Sequence, residues 1–82
     1  PMTYAHRNGE TTPPIETGRY WFRGSIIGLD YEAMTTVINV PEDGLLAWCE
    51  FDGEGWFQGI FSFNGQWWGP VVAPWEHPEV QP

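Results

Sequence analysis

Phe51-Asp52-Gly53-Glu54-Gly55-Trp56 is echoed twelve positions later by Phe63-Asn64-Gly65-Gln66-Trp67-Trp68. Phe, an Asx-Gly pair, an acid or its amide, and Trp recur at matching places. Asp-Gly and Asn-Gly supply the positive φ angles of a tight hairpin turn at little steric cost. Aromatic side chains flanking such turns can pair across the strands. Both segments read as hairpins, and together they predict three successive antiparallel strands.

Working upstream, alternation over residues 19–27 sends Tyr20, Phe22 and Ile26 to one face. Arg19, Trp21, Arg23 and Ser25 go to the other. Gly24 marks a bulge or bend in that strand. After a short connection at 28–30, the β-branched run Thr35-Thr36-Val37-Ile38 predicts strand to Val40. Over 30–36 the reading stays open between strand and a short helix capped by Asp30. Pro41-Glu42-Asp43-Gly44 predicts a turn. Strands follow at 45–51, 56–63 and 66–73, the last being an edge or broken at Pro70, which cannot donate to a ladder.

The expected architecture is therefore all-β. A five-stranded antiparallel meander (18–73) curls into a small SH3-like half-open barrel. An extended, flexible arm (1–17) precedes it and a Pro-rich tail (74–82) follows. Alternation assigns Trp48, Phe57, Phe61, Phe63 and Trp67 to the core with Tyr20 and Phe22. Phe51, Trp56, Trp68 and Trp21 go to the opposite face, and Trp75 is placed to fold back as a lid.

Six Trp, five Phe and three Tyr in 82 residues supply the large buried areas that a small domain needs. A single cysteine, Cys49, forms no internal disulfide and reads as a buried, inert thiol. His6, Cys49 and His77 lack zinc-site spacing. No apolar run is long enough for a membrane span, and no basic-then-apolar leader is visible. Pro1 ahead of Met2 reads as a cloning remnant, with a cytoplasmic chain starting at Met2.

Eleven Asp and Glu face three Arg and no Lys, a formal charge of −8. Such a chain is repelled by nucleic-acid backbones and anionic membranes, so neither is an expected direct partner. Part of the charge serves solubility. The sharper reading is an acidic surface aimed at a basic protein. Glu50, Asp52 and Glu54 sit around one solvated turn, which offers no cleft to shift a pKa for acid–base work. They lack the Asp-x-Asp-x-Asp-Gly pattern of a calcium loop. Neither Ser25 nor Ser62 has a nucleophile-elbow sequence, and the glycines form no phosphate loop. No catalytic, metal or cofactor residue is expected. The expected contact residues are Glu42, Asp43, Glu50, Asp52, Glu54, Trp56 and Trp68, with Trp56 or Trp68 as the exposed anchor.

Gly-Arg-Tyr-Trp-Phe-Arg at 18–23, Phe-Asp-Gly-x-x-Trp at 51–56, Asn-Gly-Gln-Trp-Trp at 64–68 and Trp-x-x-Pro at 75–78 resemble short phage and prophage aromatic-rich β proteins. That resemblance implies a viral origin, the cytoplasm of an infected bacterium, and the habit of small acidic proteins that bind and block a host factor, CRISPR effectors among them. The expected function is non-enzymatic: inhibition of a host protein through its basic, nucleic-acid-binding groove. The alternative is a structural or assembly component, such as a small virion protein or a homo-oligomer, that uses its aromatic face for self-contact. A likeness to a WW module, in Trp48 and Trp68 with Gly69-Pro70 after, fails because the strands here are continuous.

Overall fold

Two tight turns, each with positive φ at both central residues, set the fold: Ile27-Gly28 (52° and 81°) and Asp52-Gly53 (54° and 82°). This is the type I′ geometry whose twist matches that of paired strands. The first turn joins β2 (Gly18–Ile26) to β3 (Leu29–Val40), and the second joins β4 (Gly44–Phe51) to β5 (Glu54–Gly59). Between the hairpins, Pro41 opens a turn closed by Asp43 N–H donating to the Val40 carbonyl at 2.9 Å. In this computed structural model residues 7–71 are described, and they are antiparallel β with no α-helix. The expectations for His6, Trp75, His77 and the tail 74–82 lie outside the described residues.

Two further strands complete the sheet: β1 (Arg7–Glu10) and β6 (Phe63–Gly69). The order is β1-β6-β2-β3-β4-β5, an open sheet whose edges among the described residues are β1 and β5. The mainly-β antiparallel expectation holds, and residues 30–36 are strand. Nothing in the strand order fixes the finer SH3-like comparison.

The meander stops after its fourth strand. From β5 the chain takes a 3-10 turn, Ile60–Ser62, and returns to lay β6 between β2 and β1. The expected Asn64-Gly65 hairpin is thus corrected: both residues lie inside β6, opposite Ser25 and Gly24. The physical reason is close backbone approach. A Cβ on Gly24 would lie 2.1 Å from the Asn64 carbonyl oxygen, and one on Gly65 would lie 2.2 Å from that of Arg23. Two bare glycines face each other so that the paired backbones of β2 and β6 can come this close. The strand expected at 66–73 ends at Gly69, just before Pro70. The arm is also more ordered than expected, since Arg7–Glu10 pairs with β6 across a bulge at Gly9. Arg7 Nη2 donates to the Pro13 carbonyl at 2.6 Å, and Tyr20 Oη donates to the Glu16 carbonyl at 3.0 Å.

The core joins Tyr20, Phe22 and Ile26 of β2, Val37 of β3, Ala47 and Cys49 of β4, Ile60, and Phe63 and Trp67 of β6. Trp67 packs against Phe22 at 4.7 Å, Phe63 at 5.5 Å and edge-on to Tyr20 at 6.1 Å between ring centroids. The registered pairing of β3 with β4 runs from Val40↔Gly44 to Val37↔Ala47. Beyond it, side chains serve the β4 backbone: the buried Thr35 hydroxyl donates to the Trp48 carbonyl, and Tyr31 Oη accepts from Glu50 N–H at 3.1 Å. β3 therefore bridges two halves of the sheet.

Ile27 is a β-branched residue held at φ 52°, a left-handed conformation that costs an L-residue about 1–2 kcal/mol. Its side chain is exposed, so little packing offsets that cost. Ile27→Asn should stabilise the domain by about 1 kcal/mol, read as a higher denaturant midpoint at unchanged slope. An unchanged or lower midpoint would contradict the strain argument.

Candidate functional site

The Asp52-Gly53 turn places Phe51 opposite Glu54, Glu50 opposite Gly55, Cys49 opposite Trp56 and Trp48 opposite Phe57. Directly opposite residues share a face of the sheet. Because Ala47 and Cys49 are fully buried, their face is the core side, so Phe51, Glu54 and Trp56 belong to it too. Trp48, Glu50 and Phe57 lie on the outer face. This corrects several expectations. Trp48 and Phe57 are not core residues: their rings meet edge-on at 5.1 Å on the outside, and Phe57 is 40% exposed. Phe51 and Trp56 are not on the outer face, and Phe51 packs against the core. Phe61, also expected inside, lies on the 3-10 turn and is 85% exposed. The missed signal is size: Ala47 and Cys49 are the small apolar residues of β4 and mark its inward parity.

At the hairpin tip the core-side rings form a row that runs out into solvent. Tyr31 meets Phe51 at 5.1 Å, and Phe51 meets Trp56 at 5.9 Å. Trp56 is 39% exposed, and its Nε1 donates to Gln58 Oε1 at 2.9 Å, which fixes the indole along the strand. Behind it, the Trp48 ring covers Gly55 so closely that a Cβ there would lie 2.0 Å from the indole. Glu50, Asp52 and Glu54 are all exposed around this tip. Burial raises the Tyr31 hydroxyl pKa, while the Glu50 N–H it accepts pulls the other way. Burial likewise pushes the Cys49 thiol up, so it is protonated at neutral pH and a poor nucleophile.

The structure brings Glu50, Asp52, Glu54 and Trp56 together and separates the other expected contact residues from them. Glu42 and Asp43 occupy the β3–β4 turn, at the far end of β4, roughly 20–25 Å away at about 3.3 Å per residue. Trp68 sits on β6, opposite Trp21 of β2 and Asn8 of β1. It is only partly exposed, with Gly9 against its ring and the Arg23 guanidinium 6.0 Å above the ring centroid. Trp56, not Trp68, is therefore the open indole at the acidic turn.

Trp21, 50% exposed, was not among the expected contacts. It lies on the outer face between Arg19, whose Nη2 contacts Met34 Sδ at 3.1 Å, and Arg23. An open depression of ≈ 470 Å³ is lined by Arg23, Gly24, Asp30, Tyr31 and Glu32. It mixes charges and holds no nucleophile beside a base. Among the described residues, no three His, Cys, Asp or Glu side chains are grouped to hold a metal. No helix among them is long and apolar enough to cross a membrane. Compared with protein-family models, curated proteins and solved structures, the chain matches none.

Proposed function

We propose that this is a non-enzymatic protein-binding domain whose β4–β5 hairpin occupies a basic surface on its partner. The observation that carries the reading is the row Tyr31–Phe51–Trp56 emerging on the face of Glu54, next to the turn residue Asp52 and with Glu50 on the other face of the same hairpin. An exposed indole beside carboxylates suits Arg and Lys through ring-face attraction and opposite charge. The net charge of −8 supports steering toward a basic groove of the kind that holds nucleic acid. The phage-protein resemblance of residues 18–78 supports a host factor as the target, with its inhibition inside the bacterium as the outcome. Glu42 and Asp43 then act at a distance, through the field rather than through the same contact.

Immobilised protein should retain a basic host protein at low salt, release it at high salt, and release it to competing DNA. The variant E50Q/D52N/E54Q should retain about tenfold less, the equivalent of about 1.4 kcal/mol. Equal retention by the variant, or indifference to salt, would contradict the reading.

A second reading, an assembly component, is favoured by the exposed Trp21 on the opposite side of the sheet. A subunit that contacts neighbours needs two faces. Sedimentation separates the two, because assembly requires a stable homo-oligomer that Trp21→Ala dissociates.

A further inference from the structure

The two edges of the sheet differ in kind. β1 is 4 residues long and broken by a bulge at Gly9, a common way of blunting an edge. β5 is 6 residues long, with no Pro, no Lys and no bulge, and its one charge is Glu54 at the start. Trp56 and Phe57 are exposed on its two faces.

The turn also fixes which backbone groups are free. With a two-residue loop, the closing pair Phe51–Glu54 exchanges both backbone hydrogen bonds, and such pairs recur at every second residue. Glu54, Trp56 and Gln58 thus bond to β4. The N–H and C=O groups of Gly55 and Phe57, and the N–H of Gly59, point to the open side, while the Gly59 carbonyl closes the 3-10 turn. Two of these three residues are glycines with no side chain of their own, and the Trp48 ring lies over Gly55 on the outer face.

We propose that this edge receives an extended segment of a protein partner as a seventh strand, antiparallel to β5, with basic residues at the segment's C-terminal end. Antiparallel pairing brings that end beside Glu54 and the neighbouring Asp52 and Glu50, and this charge complementarity selects the occupant. A second copy of the chain would bring its own carboxylates and a charge of −8 to the same place. Main-chain bonds supply the affinity, and Trp56 and Phe57 grip alternate side chains on the two faces. This inference rests on the hairpin being the protein-binding surface, and adds how it binds.

Gly59→Pro tests it with little disturbance to the monomer. Gly59 has φ −51° and ψ 136°, which proline adopts readily. A Cβ there meets nothing within 4 Å, and the lost N–H is one that faces outward. Peptides would be selected from a displayed random library on the wild-type protein, then measured on G59P and on E50Q/D52N/E54Q. Enriched peptides should end in basic residues and bind G59P at least about tenfold more weakly, at unchanged thermal midpoint. In the free protein, amide exchange should be fast at Gly55 and Phe57 and slow at Trp56 and Gln58. In the complex, Gly55 and Phe57 should become protected. Binding lost in the charge variant but kept in G59P would overturn strand addition and leave the acidic contact standing. Binding kept in both would overturn both. No enrichment, or Phe57 already protected in a homodimer, would overturn strand addition.

Discussion

Gly65→Ala should lower the stability of this domain by at least about 3 kcal/mol and its thermal midpoint by roughly 12–24 °C. The added methyl would sit 2.2 Å from the Arg23 carbonyl oxygen and 2.7 Å from the Gly24 Cα, and both are backbone atoms. No side-chain rotation relieves that contact, so β2 and β6 must part. Parting them loosens Phe22 from Trp67 and Ile26 from Phe63, the pairs on either side of the facing glycines. A domain of this length holds roughly 4–12 kcal/mol in total, so much of it would be spent at one position. A hairpin turn at Asn64-Gly65 would respond differently, losing only about 1 kcal/mol for a left-handed alanine. Chemical denaturation of G65A beside G59A, whose methyl meets open space, measures the difference. Equal, small losses in the two variants would contradict the close backbone approach.

Trp67→Ala should cost about 3–5 kcal/mol and leave the chain close to unfolded at room temperature. Trp67 is fully buried and touches the rings of Tyr20, Phe22 and Phe63, so its removal opens a cavity at the centre of the core. Trp67→Phe should cost much less. The indole Nε1 is buried without a hydrogen-bond partner among the described residues. An unmet donor of this kind costs about 1–3 kcal/mol, and phenylalanine removes it while filling most of the space. Thermal melts followed by near-ultraviolet dichroism test both. A phenylalanine variant as unstable as the alanine one would show that the indole N–H is satisfied.

The residues differ in how openly they announce these roles. Asp52-Gly53 acts locally, since its φ angles and flanking aromatics are enough to close a hairpin, and there the expected turn is found. Asn64-Gly65 has the same local chemistry, but its glycine serves a strand far away in the chain. Only the facing Gly24 tells a turn from a close strand pairing, and that pairing is not local. Polar Arg7–Glu10 shows no apolar period, because β1 contributes backbone bonds rather than core. Glu50, Asp52 and Glu54 were legible as the carboxylates of one turn, but the separation of Glu42 and Asp43 from them was not. Glu42 and Asp43 are close to Glu50 in the chain yet lie a strand's length away. The inward parity of β4 was carried by Ala47 and Cys49, while the larger Trp48 beside them suggested the opposite face.

Two exposed indoles offer alternative contacts for the proposed partner. Trp56 lies at the acidic hairpin and Trp21 on the far side of the sheet, 39% and 50% exposed. The affinity of the retained host protein for W56A and W21A, measured by titration calorimetry, tests this most directly. Trp56→Ala should weaken binding at least about tenfold, with Trp21→Ala close to wild type. Loss in W21A with W56A unaffected would move the contact to the Arg19–Trp21–Arg23 face and contradict the assignment of the hairpin.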